Sequence, residues 1–186
     1  KFDCFAFLAS DKQNETSKTE LTRALKCGVN LISNLTESGE FDCIIDGIFG
    51  TGLSRELDER TIKLINTLNA TSAYKLACDI PSGLDKNGVP QGAVFKADTT
   101  VTMGALKSAL YSDFAKDCVG RVKVANLGLS RELYETGTSF YKLGKSDLNL
   151  PFRVKQNANK GDFGHVFVVS GEKGGAARIA GLAALT

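Results

Sequence analysis

A single histidine, no C-x-x-C pair and no long apolar run leave little room for several common chemistries in this sequence of 186 residues. The histidine, His165, lies in HVFVV, where a strand-edge or solvent-facing residue is expected rather than a base. Ser108 and Ser139 therefore lack a partner for a catalytic triad. The five cysteines, Cys4, Cys27, Cys43, Cys78 and Cys118, are odd in number and widely spaced, a poor pattern for a disulfide framework or a zinc site. Four of them sit in or beside apolar runs, which predicts reduced, packed thiols and a cytoplasmic protein. No apolar stretch approaches the ~20 residues that span a bilayer. Charge is balanced, with 23 basic and 21 acidic residues, and no basic run offers itself to nucleic acid. The opening KFDCFAFLASDKQ reads as a strand, without the basic start and long apolar region of a secretory leader. No internal repeat or low-complexity segment stands out.

What is present is an alternation of two periodicities. Short apolar runs at 4–10, 29–33, 41–48, 73–80, 97–105 and 120–128 predict strands. SKTELTRALKCG predicts a helix opened by a Ser17–Glu20 capping box and stopped by Gly28. RTIKLINTLNA carries Ile62, Leu64, Ile65 and Leu68 at helical spacing, and SRELYETG (130–137) predicts a short helix. Strands alternating with helices predict an α/β fold with a parallel sheet. A charged, less regular stretch at 142–164 then intervenes, after which HVFVVSGEKGGAARIAGLAAL restarts the strand, glycine turn, helix pattern. This predicts one domain over 1–147 and the start of a second over 148–186, with the boundary near Leu148–Asn159. A first residue, Lys1, at or inside a strand without an initiator Met, and a last helix pattern without a stop signal, predict a fragment of a longer protein.

Ligands of open parallel sheets bind at the carboxyl ends of the strands, and two predicted strands end in aspartate, Asp46 after CII and Asp79 after KLAC. On neighbouring strands the two carboxylates would lie ~5 Å apart. They would repel unless one is protonated or a cation stands between them, so the sequence proposes a cation site or an acid/base pair. Asp79 leads into IPSG, where Pro81 and Gly83 shape a rigid turn and Ser82 offers a hydroxyl to a hard cation; plain stabilisation of that turn is the alternative. After Asp46, GTGLSR places Arg55 where G-x-G-x-x-G has its third glycine, and no G-x-x-x-x-G-K-[ST] is present. Its amides could face an anion at a helix N-terminus, with Arg55 adding a charged fork; a flexible turn with Arg55 in a surface ion pair is the simpler expectation. Lys107, in GALKSAL, follows a strand and could reach a ligand, but a solvated lysine is the simpler expectation. The SGEKGGAAR turn either approaches a nucleotide or lets its helix pack closely.

Taken in order, DCIIDGIFGTGLSREL, ACDIPSGLDKNGVPQG, ADTTVTMGALKSAL and VGRVKVANLGL resemble the NAD(P)HX epimerase domain, also called the YjeF N-terminal domain. NKGDFGHVFVVSGEKGGAARIAGLAAL resembles the opening of the ADP-dependent NAD(P)HX dehydratase domain. The resemblance covers Phe2 to Thr186. It implies a Rossmann-like parallel sheet flanked by helices, followed by the first βα unit of a ribokinase-like domain. It also implies an isomerase acting on hydrated NADH or NADPH, in a bifunctional metabolite-repair protein whose lyase domain removes water from the S form with ADP. By the same resemblance, potassium is bound through Asp46 and Ser82, and substrate is contacted by Gly50, Thr51, Gly52, Leu53, Ser54, Arg55, Glu56 and Asp79, with Asp79 the catalytic acid/base. The family's Asn/Gly-rich loop is expected before Lys1, and the dehydratase's catalytic aspartate beyond Thr186. Asn159 stands where that family often has histidine. The expected partner is the small-molecule substrate, with no nucleic acid and no membrane; a homo-oligomer is left open. The same fold also serves non-catalytic binding modules, against which the retained Asp46, Asp79 and Ser82 weigh. An ordinary dehydrogenase is disfavoured by the broken glycine fingerprint.

Overall fold

The computed structural model describes residues 2–35, 40–133, 136–148 and 152–184. They divide into two compact units, Lys1–Phe140 and Tyr141–Thr186. In the first, strands β1 (Phe5–Phe7), β2 (Asn30–Ile32), β3 (Cys43–Asp46), β4 (Tyr74–Cys78), β5 (Thr99–Met103) and β6 (Arg121–Ala125) alternate with helices α1 (Glu15–Lys26) and α2 (Glu59–Asn69). Every pairing between these strands is parallel, as the alternation predicted, but the strands form two sheets: β1–β2, and β3–β4–β5–β6 in sequential order. Phe5 and Phe41 meet edge to face, with ring centroids 5.9 Å apart.

In β3 the side chains alternate. Ile44 and Asp46 face the packed side, whereas Cys43 and Ile45 are exposed. Two apolar clusters build the core. Ile65 and Leu68 of α2 pack with Ala77 of β4, Phe95, Leu53 and Leu57; Ile80 and Leu84 pack with Leu110, Ala115 and Val119. The residues following β4, Ile80 to Leu84, are therefore core rather than surface loop. Their backbone is held by Phe95 N–H to Ser82 O at 2.9 Å and Gln91 N–H to Gly83 O at 2.8 Å.

Several expectations are corrected. The cap of α1 is Asn14, whose side chain accepts from the Ser17 amide at 2.8 Å. Asn caps as well as Ser does, so the helix starts most of a turn earlier and Ser17 lies inside it. Gly28 (φ +90°) does follow its end. The thiols are free, but Cys4, Cys27 and Cys43 are exposed and only Cys118 is buried. An apolar neighbourhood in sequence does not say which face of a short strand is covered. Residues 131–133 make one 3-10 turn, and Tyr134 and Glu135 of the expected helix lie outside the described residues.

In the second unit, α3 (Gly175–Ala183) forms as expected after the glycine turn. The strand expected at 165–169 does not form: no pairing partner is found for it among the described residues, and Val166, Phe167 and Val169 are exposed. A strand exists only against a neighbour that accepts its hydrogen bonds. Asn159 closes a 3-10 turn over Lys160–Phe163 by accepting from the Gly161 amide at 2.9 Å. Residues 149–151 of the expected boundary and 185–186 at the chain's end lie outside the described residues. Among the described residues, no helix is long and apolar enough to cross a membrane.

Candidate active site

Because β3 and β4 are parallel neighbours, with Asp46 opposite Ala77, both aspartates arrive at the same end of the sheet. Each then finds its own partners. Asp46, 2% exposed, is held by Ser82, itself 1% exposed. Its Oδ1 accepts the Ser82 hydroxyl at 2.6 Å and the Ile48 amide at 3.2 Å, and its Oδ2 accepts the Ser82 amide at 2.7 Å. The Ser82 hydroxyl in turn accepts from the Phe49 amide at 2.8 Å. The chain after β3 and the chain after β4 are thus joined through one buried carboxylate and one hydroxyl. Burial pushes the Asp46 carboxyl above its ordinary range, against the hydrogen bonds from Ser82 and Ile48 that draw it down.

Asp79 goes elsewhere. It has φ +70°, the one positive value at a non-glycine residue among the described residues, and Ile80 N–H bonds Cys78 O around it at 2.9 Å. That is a γ-turn of the rare, strained kind. The turn swings the carboxylate toward the end of β5. Oδ1 there meets the Lys107 ammonium at 2.6 Å, the Met103 amide at 3.0 Å and the Thr102 hydroxyl at 3.3 Å. Partial burial opposes the charge of Asp79, but the Lys107 hydrogen bond, the Met103 amide and the Lys107 charge outweigh it, and the carboxyl lies below its ordinary range. Cys78, between the two aspartates in sequence, has its thiol pushed up by burial and by both negative charges.

The pattern proposed a cation site or an acid/base pair at the two strand ends. Among the described residues Asp46 pairs with Ser82 and Asp79 with Lys107. Lys107, expected to be a solvated surface lysine, is three-quarters covered. The signal that could have found it is its place just beyond β5, the strand next to β4, which leads into Asp79.

The loop 50–56 divides its residues. Gly50 lies against Asp79: a Cβ built there would stand 3.7 Å from Oδ2. The Leu53 side chain is buried in the core cluster, leaving only its backbone to a ligand, while Thr51, Gly52, Ser54, Arg55 and Glu56 are exposed. Arg55 and Glu56 line a hollow of about 170 Å³ with Phe49, Leu57, Asp58 and Thr61. Neither Asp79 nor Ser82 reaches it. The N-terminus of α2 is capped by Asp58, which accepts the Thr61 amide at 2.8 Å. With Glu59 in the first turn as well, that helix end offers no open anion site, contrary to one reading of GTGLSR. His165 is exposed in the second unit, the solvent-facing place expected of it.

A hard cation would meet suitable atoms at Asp46. The carboxylate is buried, no basic side chain pairs with it among the described residues, and three of its roughly four lone-pair positions are taken. The remaining position, the Ser82 hydroxyl and the Phe49 carbonyl 3.4 Å from it supply only oxygens, the ligand type hard cations take. The described residues hold no group of three or more His, Cys, Asp or Glu fit for a metal ion.

Residues 1–109 match the family described as YjeF-related protein N-terminus. The chain belongs to that family. All of the paired strands β1 to β5, and both aspartates with their partners, fall within the match. Among curated relatives of this YjeF-related domain, the bifunctional NAD(P)H-hydrate repair enzyme Nnr of Helicobacter pylori is 38% identical over all of this chain and 40% of its own length. The protein of the same name from Escherichia coli is 35% identical over 82% of this chain and 30% of its own length. The NAD(P)H-hydrate epimerase of Elusimicrobium minutum is 43% identical over 48% of this chain and 40% of its own length. The chain therefore spans well under half the length of these relatives.

Proposed function

We propose that the protein containing this chain epimerises hydrated NADH and NADPH, interconverting their R and S forms, with Asp79 as the proton-handling group. The relatives named for NAD(P)H-hydrate repair and epimerisation support the substrate class. The observation that carries the chemistry is Asp79, held out of the sheet by a strained turn with one carboxylate oxygen open toward Gly50. Gly50 to Glu56 would form a wall against which the damaged nucleotide lies, with Arg55 offering a cation to its charged part. We read residues 1–147 as the epimerase part and 148–186 as the start of an ADP-dependent dehydratase, a ribokinase-like domain whose nucleotide site would lie further along the chain.

Asp46 and Ser82 would hold potassium. Bound there, the ion would offset the buried carboxylate's charge and tie the chain after β3 to the chain after β4. With its folded-state pKa raised, Asp46 contributes stability at acid pH that is lost as pH rises from the ordinary carboxyl value through the raised one. A cation that binds the ionised form opposes that loss. In the full-length protein at neutral pH, KCl should raise the unfolding midpoint above that in choline chloride of equal ionic strength. The gain is about 2.7 kcal/mol at 100 times the dissociation constant, and Asp46→Asn should remove it. Equal midpoints in the two salts would leave Asp46 and Ser82 as a purely structural pair.

The direct test adds the R form of hydrated NADPH to the full-length protein. S form should appear well above the spontaneous rate. A rate no faster than buffer would favour the other reading, a non-catalytic binding module built on the same fold.

A further inference from the structure

The two oxygens of Asp79 are not equivalent. Oδ1 is fully engaged by Lys107, Met103 and Thr102. Oδ2 accepts no hydrogen bond among the described residues and faces Gly50, where the missing side chain leaves room. Lys107 is itself anchored: its ammonium also donates to Thr102 Oγ1 and Met103 O, both at 3.0 Å. It is thus a fixed charge rather than a mobile one. The other charged or titratable groups near this end of the sheet are Cys78 beside Asp79, Asp46 at the end of β3, and Arg55 and Glu56 on the exposed loop. Among the described residues, only Lys107 pairs with Asp79.

Hydration of an enamine protonates the carbon far from nitrogen and adds water to the carbon bonded to nitrogen. The hydroxyl of a hydrated dihydronicotinamide therefore sits on a carbon attached to the ring nitrogen. That carbon can be inverted in two ways. Departure of the hydroxyl needs a proton delivered to its oxygen. Opening of the ring begins with a proton removed from it. A carboxylate fixed against an ammonium is prepared to accept a proton, not to give one.

We propose that Lys107 is a positioning residue that keeps Asp79 as a carboxylate with Oδ2 alone facing substrate, so that epimerisation runs by ring opening. This rests on the epimerase reading above. Oδ2 takes the hydroxyl proton, the C–O bond becomes a carbonyl, and the ring C–N bond breaks with its electron pair going to nitrogen. The proton passes from Oδ2 to that nitrogen. Rotation about the adjacent carbon–carbon bond presents the other carbonyl face, and closure reverses each step, so no proton and no water is consumed.

The test uses the full-length protein with the R form of hydrated NADPH in oxygen-18 water, followed by mass spectrometry at early conversion. The S form should retain its original oxygen; label entering in step with conversion would overturn ring opening. The acid limb of the kcat/KM–pH profile should move up by about one to three pH units in Lys107→Gln and stay near wild type in Lys107→Arg. A carbon-13 titration of the Asp79 carboxyl, which needs no turnover, should move in the same direction. A limb or a carboxyl titration unmoved in Lys107→Gln would overturn the role of Lys107. Failure of the epimerase reading looks different: wild-type protein produces no S form above the spontaneous rate, and the ring-opening proposal falls with it.

Discussion

Asp79→Asn should lower the epimerisation kcat/KM by roughly 10²- to 10⁴-fold, the usual contribution of a positioned acid or base, while leaving the fold intact. The structure says why the two effects separate. Asparagine tolerates the positive φ of this position better than most residues. Its side-chain oxygen can replace Oδ1 as acceptor for Lys107, the Met103 amide and Thr102. What changes is the atom in the place of Oδ2, from a proton acceptor to an amide nitrogen. Steady-state rates and a thermal unfolding curve on the same preparation check both halves. A rate close to wild type would end the assignment of Asp79. A low rate with a collapsed midpoint would show that the residue is structural.

The second large effect is on stability. Gly83→Ala should cost about 4 kcal/mol or more, in the range reserved for severe strain or overpacking. Gly83 has φ +101°, and a Cβ there would stand 2.0 Å from the Ala93 carbonyl oxygen and 2.9 Å from the Val94 Cα. Both are backbone atoms of a segment whose own hydrogen bonds hold Ser82 and Gly83 in place, so neither can yield alone. Relieving the overlap would drag Ser82 off Asp46, and the substitution should also weaken any potassium response. Gly52→Ala is the control. Nothing lies within 4 Å of its built Cβ, and its unfolding free energy in denaturant should be close to wild type. Equal midpoints for the two variants would refute the account of this turn.

Much of the frame was legible because it depends on local pattern. Apolar runs bounded by polar residues located the six strands of the first unit, and the spacing of Ile62, Ile65 and Leu68 located α2. The same rules failed where the outcome depended on a partner out of reach of the pattern. Val166 to Val169 have the composition of a strand and no neighbour to pair with among the described residues. Asn14 outcompeted Ser17 as a cap because both side chains are competent and only the path of the entering chain chooses between them.

The candidate site divides in the same way. By itself the sequence determined that Asp46 closes one strand, that Asp79 lies at the end of the next, and that a proline–serine–glycine turn comes after it, because strand ends and turn residues are fixed by neighbours along the chain. Only the tertiary structure decided what those groups do to one another. The register of β3 on β4, and the burial of the turn beneath residues 91–95, gave Asp46 to Ser82. The positive φ of Asp79 and the adjacency of β4 and β5 gave Asp79 to Lys107, a residue 28 positions away that the linear pattern left to solvent. Electrostatic partners are set by distance through space, and a sequence records only distance along the chain.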